Sequence, residues 1–69
     1  MHNTTPNPTL EQLLNDTDKL LRCAKATAYE TADHQQGASR DHAFAVVHLI
    51  DMARIKLDAA LHVQHSAAS

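Results

Sequence analysis

The fold is decided by residues 40–63, which read RDHAFAVVHLIDMARIKLDAALHV. At about 100° per residue, the apolar side chains of this stretch cover an arc of roughly 180° on a helix. They are Ala45, Val46, Leu49, Ile50, Met52, Ala53, Leu57, Ala60, Leu61 and Val63. One antiparallel partner covers a narrower stripe than this. We therefore expect this helix at the centre of an assembly, between the first helix of its own chain and a second protomer.

A first helix is predicted over about residues 9–35. It opens with a Thr-x-x-Gln capping box at Thr9 and Gln12, a pattern that satisfies free amides at the helix N-terminus. Apolar residues then recur at Leu10, Leu14, Leu21, Ala24 and Ala28, with charged residues between them. Such spacing is typical of a helix with one apolar side.

The connection between the two helices is predicted at residues 36–39. Gly37 is the only glycine and suits the left-handed position that ends many helices, while Ser39 is a favourable N-cap for the next helix. A connection this short makes the helices antiparallel neighbours. The expected fold is all-α, a two-helix antiparallel hairpin over residues 9–64 that dimerises into a four-helix bundle.

The two ends of the chain are expected to lie outside the hairpin. Residues 1–8 contain both prolines and predict a flexible N-terminal arm, and residues 65–69 predict a frayed tail. No segment combines a basic start with an apolar core, and none is long and apolar enough for a membrane span. We expect a cytoplasmic protein that does not contact the membrane.

Size and composition favour self-association. A chain of 69 residues buries a small fraction of its surface, and a single cysteine excludes an internal disulfide. We predict a homodimer whose core uses Leu14, Leu21, Val46, Leu49, Ile50, Ala53, Leu57 and Leu61. The net charge of −2, with basic residues interleaved among acidic ones, argues against a nucleic-acid partner.

Three apolar residues fall outside these stripes. Phe44 and Ile55 project onto the polar side of the second helix, and Tyr29 does the same on the first. Apolar side chains ringed by charge are favoured anchors in protein interfaces. The candidate partner-binding surface therefore comprises Tyr29, Arg40, Phe44, His48, Asp51, Arg54 and Ile55. The alternative is that Phe44 folds back onto the turn or packs on Tyr29.

Catalytic and metal chemistry are weakly indicated. His62 and His65 share a helical face and could supply two metal ligands, but a site needs three or four. His48 and Asp51 could form an acid–base pair, but a shallow hairpin offers no enclosed cavity. We predict no enzyme activity, no metal and no cofactor. A metal- or redox-responsive regulator using His62, His65 and Cys23 is the alternative function.

Two runs carry a family resemblance: LLRCAKATAYETAD at residues 20–33 and RDHAFAVVHLIDMAR at residues 40–54. Both resemble segments of a small uncharacterised family of helical proteins from pseudomonads and their phages. Within it, the whole chain is similar to phage-encoded anti-activators of quorum sensing. That resemblance implies an inhibitor that binds the ligand-binding domain of a host LuxR-type regulator and prevents its DNA binding. It also implies the type IV pilus extension ATPase as a second target.

Overall fold

The computed structural model describes residues 7–68 of the protein and shows two helices. Helix α1 spans Leu10–Asp33 and helix α2 spans Gly37–Ala68. Contacts between Asp18 and Arg54 and between Glu11 and His65 show that the helices run antiparallel. The molecule measures 53 × 33 × 11 Å, so the hairpin is one helix layer thick. The expected all-α hairpin is confirmed, with no strand among the described residues.

The N-terminus of α1 forms as its sequence predicts. The Thr9 hydroxyl accepts a hydrogen bond from the Gln12 amide at 3.1 Å, and the Thr9 amide donates to Gln12 Oε1 at 2.7 Å. These two bonds complete the capping box and satisfy two amides that the helix itself leaves free.

The connection differs from the prediction in position. Helix α1 ends at Asp33, and the amides of His34 and Gln35 donate to carbonyls three residues back, which tightens the last turn. The connecting residues are 34–36 instead of 36–39. Gly37 does adopt a left-handed φ of +63°, but it begins α2, so Ser39 lies inside the first turn and not at the N-cap.

The ends of the chain differ as well. Helix α2 was expected to stop near Val63 and instead continues through His65 to Ala68. The predicted arm, residues 1–8, lies outside the described residues except for Asn7 and Pro8, which are not helical. Ser69 of the predicted tail also lies outside them. Within the described chain, neither helix is long and apolar enough to cross a membrane.

The helices meet along a seam of residues spaced alternately three and four apart. In α1 the seam comprises Glu11, Leu14, Asp18, Leu21, Lys25, Ala28 and Ala32, and in α2 it comprises Ala43, Val47, Ile50, Arg54, Leu57, Leu61 and Gln64. This period of 3.5 residues is typical of coiled-coil packing. Among the residues whose burial the structure describes, only Ala32 and Val47 are buried, so the hairpin has very little core of its own.

Helical rotation divides the rest of the hairpin into two faces. Because a helix turns about 100° per residue, the residue after each seam position lies on one side of the hairpin, and the residue before it lies on the other. In an antiparallel pair, the residues that follow seam positions lie on the same side of the hairpin in both helices. We call the first side the groove face and the second the apolar face.

The apolar face carries most of the exposed large apolar residues. They are Leu10, Leu13, Leu20, Val46, Leu49 and Val63, with Met52 at the outer edge. The six each come directly before a seam residue. A hairpin with two buried residues thus leaves a broad apolar surface uncovered.

Candidate protein-binding surface

The groove face has two shallow depressions between the helices. One is lined by Asp18, Arg22, Asp51, Arg54, Ile55 and Asp58, and the other by Glu11, Asn15, Asp58, Leu61, His62, His65 and Ser66. Asp58 borders both. Their linings mix residues of α1 and α2 that follow seam positions, which supports the assignment of the two faces.

A charged cluster crosses the seam in the first depression. The Asp18 carboxylate accepts from Arg22 Nε at 2.8 Å and from Arg54 Nε at 3.1 Å. The hydrogen bond from Arg22, followed by that from Arg54, holds the pKa of Asp18 below its usual value. The Asp18–Arg54 bond joins two partly buried seam positions, one on each helix.

Two predicted partner-binding residues therefore act within the hairpin. Arg54 binds Asp18 of α1, and Asp51 pairs with Lys25 of α1 through a contact of 2.8 Å between Lys25 Nζ and Asp51 Oδ1. Both lie on or beside the groove face, where the prediction placed them. Their charges, however, already have partners in the folded chain.

Three more predicted residues form a cluster near the connection. The rings of Tyr29 and Phe44 pack edge to face with centroids 5.8 Å apart, and the Arg40 guanidinium lies 5.1 Å from the Phe44 ring centroid. Phe44 is half-buried by these contacts. Phe44 thus packs on Tyr29, as the alternative interpretation expected, because both residues follow seam positions at the same level of the hairpin. Its part in binding a partner stays a prediction.

The remaining two predicted residues stay accessible. Ile55 is 68% exposed and His48 is exposed on the same side of α2. Arg22 and Asp58 on the groove face, and Asp18 in the seam beside them, also line the first depression but are absent from the predicted surface. Their position relative to seam residues was the signal that could have found them.

The predicted dimer and core residues separate into two groups. Leu14, Leu21, Ile50, Leu57 and Leu61 are half-buried in the seam, whereas Val46, Leu49 and Ala53 are exposed on the apolar side of α2. The first group packs the hairpin itself. The second remains available for the predicted second protomer.

Of the three residues of the metal or redox alternative, His62 and His65 lie close together and Cys23 lies apart from them. His65 Nδ1 lies 3.5 Å from Glu11 Oε1, and His62 lines the same depression. Cys23 is exposed on α1, more than three turns from Glu11, or about 18 Å along the helix. Among residues 7–68 no three His, Cys, Asp or Glu side chains form a group that could hold a metal ion.

The fold and its surfaces define a small helical hairpin with an uncovered apolar face and a charged groove face. The chain belongs to a family of unknown function, DUF6124, whose model matches residues 2–63. No curated protein and no solved structure shows a significant match to it.

Proposed function

We propose that this protein is a homodimeric inhibitor that acts by binding other proteins. Its target is the ligand-binding domain of a host LuxR-type quorum-sensing regulator, and binding prevents that regulator from engaging DNA. The type IV pilus extension ATPase is a second target. Both targets come from the sequence resemblance, and the protein acts in the host cytoplasm as an anti-activator.

The uncovered apolar face is the observation that supports this proposal most directly. Within the described part of the chain only Ala32 and Val47 are buried, and with so small a core we do not expect a stable free monomer. Two copies of the apolar face, packed together about a twofold axis, would cover Leu13, Leu20 and Leu49 of each chain. The product is the four-helix bundle expected from the sequence.

The groove face then supplies the partner-binding surface. In a dimer closed through the apolar faces, both groove faces point outward and remain accessible. Each presents Ile55, which is 68% exposed, beside the charged residues that line the groove. An apolar side chain with a polar surround is the usual arrangement at the centre of a protein interface.

The experiment uses the purified chain, the ligand-binding domain of a host LuxR-type regulator and the intact regulator with its operator DNA. We expect a stable complex with the domain in size-exclusion chromatography with light scattering. We also expect release of the regulator from DNA in a mobility-shift assay. Ile55→Ala should weaken the complex about fivefold or more, because truncating a central anchor costs over 1 kcal/mol.

Cys23→Ala is the matched control, since Cys23 is exposed but belongs to neither face. It should bind like the unaltered protein, whereas a redox-responsive regulator would lose its response. Failure of the unaltered chain to bind the domain would overturn the proposed target. Unchanged binding by Ile55→Ala would remove the groove face from the interface.

A further inference from the structure

We propose that the groove face recognises a basic segment of its partner: an arginine or lysine side chain pairs with Asp58 while an adjacent apolar side chain rests on Ile55. This inference rests on the proposed function in one respect, because it specifies which part of a partner protein the groove face binds.

The charge distribution along the groove carries the argument. Toward the end opposite the connection, the groove is lined by the carboxylates of Glu11 and Asp58. The guanidinium groups of Arg22 and Arg54 both donate through Nε to Asp18 in the other depression, and neither arginine lines the depression at this end. This end of the groove is therefore negative and attracts cations.

Asp58 is the carboxylate best placed to accept a partner cation. It borders both depressions and is exposed. Within residues 7–68 its side chain makes no hydrogen bond or ion pair. Glu11 differs, because its carboxylate already faces His65 at 3.5 Å.

Ile55 adds an apolar contact beside this charge. It lies three residues before Asp58, so the two side chains share one side of α2, separated by about 4.5 Å along the axis. A partner helix with an apolar and a basic residue one turn apart matches that separation. Phosphate groups do not, because the carboxylates repel them.

The test uses a pair of alanine-based helical peptides. One carries a leucine and an arginine four residues apart, and its twin has citrulline in place of arginine, which removes the charge and retains nearly the same shape. Each is titrated into the isotopically labelled full chain while amide chemical shifts are recorded. We expect the arginine peptide to perturb amides around Ile55, Asp58 and Asn15.

Variants then isolate the role of Asp58. The arginine peptide should bind at least fivefold more tightly than the citrulline peptide, and Asp58→Asn should abolish that difference. Asp16→Asn is the control, because it removes the same charge from an exposed residue that lies outside both depressions. Raising the salt concentration should reduce binding of the arginine peptide alone.

Equal binding of the two peptides would overturn this inference. Amide chemical-shift changes confined to the apolar face, or none at millimolar peptide, would overturn it as well. These outcomes are separable from failure of the proposed function. Peptide binding that depends on Asp58, without binding of the regulator domain, would uphold the inference and reject the target. If the regulator domain binds and Asp58→Asn does not change that binding, the target would be upheld and this inference rejected.

Discussion

The apolar face and the groove face are built from the same two helices. At each seam residue, the preceding residue belongs to the apolar face and the following residue belongs to the groove face. Leu13 and Asn15 flank Leu14, and Leu49 and Asp51 flank Ile50. The face before the seam is apolar and uncovered, whereas the face after it is charged and largely satisfied by contacts within the chain. We propose on this basis that the first surface completes the fold by dimerisation and that the second serves recognition.

The sharpest way to break this comparison is to place a charge on each face in turn. Leu49 and Ile55 are almost equally exposed in the hairpin, at 63% and 68%. If the apolar faces pack together, Leu49→Asp should abolish the dimer and most helicity, while Ile55→Asp should leave both intact. Each buried leucine contributes about 1.5–3 kcal/mol, so the loss over two copies raises the dimer dissociation constant at least 100-fold.

Sedimentation equilibrium and circular dichroism at several micromolar concentrations would measure these effects. If Leu49→Asp and Ile55→Asp changed dimerisation and helicity equally, the two faces would not differ in their role in dimerisation. A folded, monomeric Leu49→Asp protein would disprove the requirement for dimerisation.

A second comparison separates packing from recognition within the groove face. Phe44→Ala should lower the free energy of unfolding by about 1–2 kcal/mol, because it removes a half-buried ring that contacts Tyr29 and Arg40. Ile55→Ala should change stability by less than about 0.5 kcal/mol, since its side chain is mostly exposed. Urea denaturation of both variants checks this difference. The reverse order of stability would place Ile55 in the core and Phe44 at the interface.

The smallest effect concerns pH. Because its two arginine partners lower the pKa of Asp18, the carboxylate contributes stability above the ordinary value of 3.8. That contribution should be lost as pH falls through the lower native pKa. Asp18→Asn should therefore be less stable than the unaltered protein at pH 7, and the difference should shrink at pH values below 3.8.

Thermal denaturation of both proteins between pH 7 and pH 2.5 measures this effect. Asp16→Asn provides the reference, because Asp16 lies outside the seam and the groove depressions. A stability difference that is constant over the whole range would show that Asp18 acts through its shape and not its charge.

The sequence predicted the two helices and their antiparallel arrangement because these depend on local signals. The capping box at Thr9 and the apolar spacing of both helices are examples. The ends of the helices were less predictable, since His34 and Ser39 are tolerated both in a turn and in a terminal helical turn.

The candidate surface was predicted in position more accurately than in chemistry. Periodicity placed Asp51, Arg54 and Phe44 on one side of α2, and in the structure they lie on or beside the groove face. It could not show that they are paired with Lys25, Asp18 and Tyr29, because those pairings depend on how far α1 is shifted along α2. Alignment between helices is a tertiary property that one helix does not encode.

The seam has a consequence for how the chain can vary. Deleting one residue in the middle of α2 would rotate every later side chain by about 100° relative to α1. Asp58, His62 and His65 would then enter the seam, and Leu57 and Leu61 would leave it. We therefore expect the lengths of both helices to be kept in descendants of this protein more strictly than the residues at outer helix positions, such as Asp16 and Cys23, which belong to neither face. Insertions and deletions should accumulate in the connection and at the ends of the chain.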